Sequence, residues 1–271
     1  MQAVRVFAVA FAHAVVLFAL ASAGATAAER PLYTIVDGDA RVLRGVTWHR
    51  LEAGAVVEAG DVVEAGEHAE VQVELPTGPI VRITGPGIAH VAALAAANAK
   101  HPVCEFTLLR GWFKLSAKEK AAPLELTLPV AALTLADGIV VVHADGRTAE
   151  VFVEAGRANI APLSGRAKFA GRKLIEGEYW ARTDERAPQA AEGAPRAFVS
   201  AMPVQLRDAL PALAARFEGA PPKLVAGRIV NAAEANPWLA GPTRAAFTRR
   251  FAGIPRHPAA RETTPPKDRS S

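Results

Sequence analysis

The side chains that could perform chemistry are few and scattered. The seven histidines, His13, His49, His68, His90, His101, His143 and His257, form no HxH, HxxxH or HExxH spacing, and none adjoins the single cysteine. A metal centre needs ligands that one helix face or one hairpin aims at a common point, so a metalloenzyme has no local support. Ser116, Ser164 and Ser200 are the serines of the central part, and none lies in a Gly-x-Ser-x-Gly elbow or a Ser-x-x-Lys motif. Asp37-Gly38-Asp39 offers two carboxylates but lacks the further spaced ligands of a calcium loop, and reads as a turn. Gly85-Pro86-Gly87 precedes no phosphate-binding pattern and reads as a rigid turn. The expectation is no catalytic residue, no metal site and no cofactor.

Other groupings suit binding better than catalysis. Glu52, Glu58 and Glu64 recur every six residues and read as the solvated face of a sheet, discouraging edge pairing. Trp48, Trp112 and Trp180 could stack on sugar rings, although Trp112-Phe113 inside a strand-like run reads as core. Cys104 alternates with apolar neighbours and is expected to be a buried structural thiol. A single cysteine also excludes an intramolecular disulfide framework. Residues 203–257 carry eight basic and three acidic side chains, against 19 and 22 in residues 29–202. Within that basic stretch Arg244, Arg249 and Arg250 are the candidate docking residues for an acidic partner or an anionic envelope polymer, the alternative being a solvated helical face. The whole-chain charge of +4 and pI near 9.5 are too mild to announce a nucleic-acid partner.

The elements that must position these residues are mostly short strands. Val71–Leu75 and Ile80–Thr84 alternate with period two around the turn Pro76-Thr77-Gly78-Pro79, and Leu124–Leu128 and Ala149–Val153 repeat the alternation. Asp37-Gly38, Asp137-Gly138 and Asp145-Gly146 are hairpin-type dipeptides. A six-residue step runs through Leu51-Glu-Ala-Gly, Val57-Glu-Ala-Gly and Val63-Glu-Ala-Gly; it is too short for a β-helix and predicts a two-strand unit turning at Gly54, Gly60 and Gly66. The pattern gives an all-β domain over residues 29–182, with sandwich, barrel and solenoid all open. With 51% hydrophobic residues there is material for a sizeable core.

Beyond residue 182 the pattern changes. Residues 183–198 read as a polar, proline-bearing linker. Residues 199–254 read as a small basic helical module: Leu206, Leu210, Leu213 and Phe217 stand at helical spacing behind Pro203, with Pro211 as a kink. Asn231 and Glu234 form a capping pair before a helix reaching Trp238-Leu239, and Gly241-Pro242 opens another with Phe247 and Phe251 on one face. Residues 255–271 read as a disordered tail. At the other end, Arg5 precedes an apolar run from Val6 to Leu20, and small residues from Ala21 to Ala28 close it. Residues 1–28 thus have the layout of a cleaved signal peptide, the alternative being an inner-membrane anchor over residues 4–27. A mature chain in the periplasm or secreted is the expectation.

The order of these pieces resembles the FecR domain family. The matching stretches are residues 51–66, with Gly60-Asp61 and Gly66; the alternating strands at 71–75 and 80–83 around Gly78; Leu109-Arg-Gly-Trp-Phe-Lys-Leu; and Val151-Phe-Val-Glu-Ala-Gly-Arg-Ala. The resemblance covers about residues 33–182. Where members often carry an arginine-glycine-threonine turn, this chain reads Leu135-Ala136-Asp137-Gly138-Ile139. The resemblance implies a twisted β-solenoid or sandwich rather than a closed barrel, with no catalytic residues to carry over. Full-length regulators of the family span the inner membrane, a cytoplasmic helical segment restraining a sigma factor. Here a leader stands in that place, so only the exported β module is implied. A non-enzymatic binding or sensing component of the bacterial envelope is therefore expected, with a protein or anionic polymer as partner. A peptidoglycan- or glycan-associated structural protein is the alternative, and an envelope hydrolase the rival from another class.

Overall fold

A computed structural model describes residues 30–235, except 77, 96–102, 120, 164–168, 185, 218 and 220. The expected leader, Trp238, the candidate docking residues Arg244, Arg249 and Arg250, the aromatic pair Phe247 and Phe251, and the expected tail all lie outside the described residues. Among the described residues no helix is long and apolar enough to cross a membrane.

The described chain is mainly β. Five short strands come first: β1 (Leu32–Asp37), β2 (Ala40–Arg44), β3 (Thr47–Arg50), β4 (Val62–Ala65) and β5 (Glu70–Glu74). Four long ones dominate the centre: β6 (Ile80–Ala93), β7 (Cys104–Ala117), β9 (Ala131–Asp145) and β10 (Thr148–Pro162), with the short β8 (Leu124–Thr127) between β7 and β9. Then follow β11 (Arg172–Ile175), β12 (Glu178–Thr183) and β13 (Gln189–Glu192). The last part holds α1 (Arg196–Ala201), 3-10 turns at Val204–Leu206 and Ala214–Arg216, β14 (Val225–Ile229) and α2 (Ala232–Ala235).

The long strands serve two halves of one folded sheet. Residues 80–84 of β6 pair with β5, whereas residues 87–90 pair with β4. Residues 110–117 of β7 pair with the end of β9, while Cys104–Thr107 run parallel to β8, which pairs in turn with Thr134 and its neighbours at the start of β9. β8 thus fills the gap opened where β7 and β9 part. β10 follows β9 throughout, giving its first part to β12 and its last to β11. The first half therefore runs β1-β5-β6-β7-β9-β10-β12-β13, and the second β14-β3-β2-β4-β6-β7-β8-β9-β10-β11. Side chains from both halves share one core, among them Val71, Val73, Phe113, Leu115 and Val142 from the first and Val42, Val63, Phe106, Leu126 and Leu133 from the second. This is sandwich packing, each strand sending alternate side chains inward.

The corners are made by glycine. Gly138 (φ +128°) and Gly156 (φ +74°) lie opposite each other on β9 and β10. A Cβ on Gly138 would stand 2.2 Å from the Ala155 carbonyl oxygen, and one on Gly156 2.6 Å from that of Asp137. Only glycine permits this bend at this distance. Asp137-Gly138 is therefore a corner within a continuous strand, not the hairpin its sequence suggests. Asp145-Gly146 does form the β9–β10 hairpin, with the Thr148 N–H donating to Asp145 Oδ1 at 2.8 Å. Asp37-Gly38 carries the chain from one half to the other, since β1 pairs with β5 and β2 with β3 and β4. Gly85-Pro86-Gly87 likewise sits within β6, at a register shift between Thr84 and Ile88. The strands are accordingly longer than the short segments read from the sequence. Glycine marks a change of direction but does not say whether pairing ends there.

Two expectations for the chain after residue 182 differ from what is found. The expected linker contains β13, antiparallel to β12 with Gln189 opposite Ala181, and all four of its side chains are exposed. An edge strand with no buried face needs no apolar periodicity. The expected helix through Leu206, Leu210, Leu213 and Phe217 is replaced by two one-turn 3-10 helices, one starting behind Pro203 and the other after Pro211. Two prolines remove amide donors and hold the preceding residues extended, so the apolar spacing never closes into α-helix. The Asn231–Glu234 pair does form its reciprocal cap: the Glu234 N–H donates to Asn231 Oδ1 at 3.0 Å and the Asn231 N–H to Glu234 Oε2 at 3.1 Å.

Candidate functional site

On the outer face of the first half, alternation puts Gln72 and Glu74 of β5, Arg82 of β6 and Lys114 of β7 side by side in register. Gln72 lies opposite Arg82, and Arg82 opposite Lys114. Such positions ordinarily face water. Here they are buried, because residues 194–217 cross them as a strap. Phe198, Met202 and Leu206 of the strap pack with Val141 and Tyr179, against the half-buried Trp112 and Phe152.

The four polar side chains hold the strap by its main chain. Gln72 Nε2 donates to the Pro211 carbonyl at 2.8 Å, and Arg82 NH1 to that of Gln205 at 3.1 Å. Lys114 Nζ donates to the carbonyls of Leu206 at 2.9 Å and Asp208 at 3.0 Å. Glu74 accepts from the N–H groups of Leu213 at 2.6 Å and Ala214 at 3.0 Å, satisfying the open amides that begin the second 3-10 turn. The charges are compensated inside the sheet: Lys114 Nζ stands 2.7 Å from Glu154 and Arg82 Nε 3.1 Å from Glu70, while Arg82 NH2 donates to Gln72 Oε1 at 2.6 Å. Burial pulls the Arg82 guanidinium below its ordinary value, with Glu70 and Asp208 opposing the shift. Buried cations persist only when paired and hydrogen-bonded, as Arg82 and Lys114 are, while Glu74 is held by N–H donors alone.

Beside the apolar anchors lies a second group. His143 Nδ1 is 2.8 Å from Glu150 Oε2 across the β9–β10 hairpin, and the Tyr179 hydroxyl donates to Glu150 Oε1. Trp112 stacks on the His143 ring at 4.5 Å and meets Phe198 at 4.9 Å. The bonds from His143 and Tyr179 hold the Glu150 carboxyl below the usual carboxylate range against the opposing effect of burial. Burial first, and then the Glu150 carboxylate, raises the Tyr179 phenol.

Other residues singled out in the sequence have structural partners. Asp61, of the Gly60-Asp61 motif, is 1% exposed and accepts from the Tyr33 hydroxyl at 2.9 Å, from Arg44 Nε and NH2 at 2.9 and 2.8 Å, and from the Glu58 N–H at 3.0 Å. Burial and the neighbouring Asp61 carboxylate push the Tyr33 phenol well up. Glu58 pairs with Arg44 and Glu64 with Arg41, so two of the three periodic glutamates are ion-paired. Trp180 is in the main core, Trp48 is buried under Arg41, and Trp112 is covered by the strap, so the three form no open stacking platform. Cys104 is a buried free thiol, pushed up by burial. Among the described residues no group of three or more His, Cys, Asp or Glu is placed to hold a metal ion.

Sequence reasoning missed the clamp and the His143–Glu150 pair. The clamp residues look like the polar face of alternating strands, and nothing local says that a segment from 92 to 140 residues away covers them. His143 and Glu150 could be found only by knowing the hairpin register, which sets Ala144 opposite Ala149.

No family model matches the chain, and no curated protein matches it. Among solved structures, two crystal structures of a "putative anti-sigma factor" from Parabacteroides distasonis align with it at a TM-score of 0.40 and 12% and 13% identity. Each alignment covers 49% of this chain and 59% of that one, so the chain spans somewhat over half the length of the protein it matches.

Proposed function

We propose that this protein is an exported, non-enzymatic binding or sensing component of the bacterial envelope, of FecR type, and that it binds protein. The observation that carries this reading is the clamp. The buried polar side chains of the first half spend their hydrogen bonds on carbonyl and amide groups of an irregular segment of short helical turns, which is the chemistry of main-chain capture. The FecR-like order of turns and strands in the sequence supports the same reading. So does Asp61, which serves as a structural anchor within that motif.

The test is crosslinking in intact cells of the full-length chain, followed by fractionation of the envelope. The expected result is a crosslinked protein partner in the envelope fraction, with the chain lacking residues 1–28 by mass spectrometry. Recovery with purified cell-wall polymer and no crosslinked protein would overturn it in favour of a glycan-associated structural role. Residues 1–20 retained in the envelope form would replace export by anchoring.

A further inference from the structure

Among the described residues, the strap is attached unlike any other part of the sandwich. Its backbone bonds run inside single turns, from Val199 to Pro195, Met202 to Phe198, Leu206 to Pro203 and Arg207 to Val204; the bonds that fasten it to the sheet come from sheet side chains. α1 is six residues long, with no side-chain cap and no charge placed to suit its dipole. A helix this short does not persist in water by itself. Three buried side chains, Phe198, Met202 and Leu206, are its apolar anchors, whereas Val199 and Val204 between them are exposed.

We infer that the outer face of the first half is a receptor for an irregular, turn-rich peptide, that residues 196–214 are its resident intramolecular occupant, and that an irregular segment of a partner protein displaces them. This inference rests on the protein-binding reading above. The chemistry of the partner follows from what the face requires. It must offer unspent carbonyls where Gln205, Leu206, Asp208 and Pro211 now offer theirs, and two consecutive free amides for Glu74. An α-helix interior or a strand already paired on both sides has no such groups to give. The segment must therefore be irregular, with apolar residues to replace Phe198, Met202 and Leu206. Because the polar contacts touch only backbone, the side chains between the anchors are free to vary. On an empty face water would hydrate Lys114, Arg82 and Glu74, but the apolar patch of Val141, Tyr179, Trp112 and Phe152 under the anchors would be exposed. The strap consequently leaves by exchange, one chain for another, and not by simple release. Gly193 (φ +89°) and Pro195, between β13 and α1, are placed to act as its hinge.

The experiment uses the full-length chain and a fluorescent synthetic peptide of residues 194–217 as probe. In the variant Phe198→Ser with Leu206→Ser, the resident strap loses its anchors. That variant is expected to bind the probe at least tenfold more tightly than wild type, whose own strap competes at high effective concentration. Adding Lys114→Met to it is expected to weaken the probe at least tenfold, and a probe carrying both serines is expected not to bind. In wild type, amides of residues 198–207 are expected to exchange with solvent at least tenfold faster than those of β9 and β10. A loosened variant that keeps its near-ultraviolet circular dichroism yet takes up no probe overturns the inference. So does a concentration-dependent dimer without probe binding, which would put a second copy's strap in the partner's place. If the loosened variant unfolds, equal exchange protection of the strap and the β9–β10 core in wild type overturns it instead. Each of these failures leaves the envelope crosslinking result untouched, so the two readings fail separately.

Discussion

Two buried charge clusters of this protein use similar residues to different ends. Around Asp61 the carboxylate, the Arg44 guanidinium and the Tyr33 hydroxyl satisfy one another, with the Glu58 amide and the Val56 carbonyl completing the set. Every partner belongs to the first strands of the sandwich and the turn before β4. In the cluster of Glu74, Arg82 and Lys114 the two cations are paired within the sheet by Glu70 and Glu154, but the remaining hydrogen bonds, those to Glu74 included, reach across to the main chain of the strap. The first network locks the fold and has no vacancy for anything else. The second is complete only while some chain with open main-chain groups lies on it. A buried polar cluster is thus structural or functional according to whether its last partner can be exchanged.

That contrast can be broken by substitution. Asp61→Ala should have the largest effect, about 3–5 kcal/mol of stability in denaturant unfolding, because Arg44 and Tyr33 lose their shared acceptor. A loss below about 1 kcal/mol would mean that water replaces the carboxylate and that the network is no lock. Lys114→Met should cost less globally, since its apolar stem position is kept, while exposing the strap to proteolysis near Arg207. Cleavage first inside β5 or β6 would show the strap to be as integral as the strands.

A smaller effect concerns pH. The Glu150 carboxyl lies below its ordinary value, so its contribution to stability is present above the unfolded carboxylate range and is lost as pH falls through the lower, folded value. Glu150→Gln should therefore flatten the acid limb of the unfolding midpoint, measured between pH 7 and pH 3, and leave a difference at neutral pH. An unchanged acid limb would show that other carboxylates set it. The smallest effect on folding is expected from reversing Arg244, Arg249 and Arg250 to glutamate. It should leave the unfolding midpoint alone and abolish envelope association. In wild type that association should weaken as salt shortens the Debye length below roughly 8 Å. Association that survives the reversal at low and high salt alike would make these arginines plain solvated charges, and would leave the clamp as the binding surface.

Much of the sandwich was legible in the residues themselves. The alternation of Val71, Val73, Val81 and Ile83 sets the inward face whatever surrounds it, because successive side chains of a strand point to opposite sides. Gly54 and Gly60 turn as their six-residue step indicates, although the step holds one strand, β4, and an isolated bridge at Val56 in place of the expected two-strand unit; Asn231 caps with Glu234, and Cys104 is buried as its apolar neighbours require. These are local properties, governed by sterics and hydrogen bonds within a few residues. What only the tertiary structure decided is everything that depends on who lies opposite. Asp137-Gly138 and Asp145-Gly146 are alike in sequence, yet one is a corner facing Gly156 and the other a hairpin. The segment around Leu206 keeps its helical spacing but not its helix, because Pro203 and Pro211 interrupt it and the sheet captures its carbonyls. Gln72, Glu74, Arg82 and Lys114 carry no mark of burial, since the strap that covers them approaches from far along the chain. Burial and hydrogen-bond partnership across that distance are decided by packing, and no short window of sequence contains them.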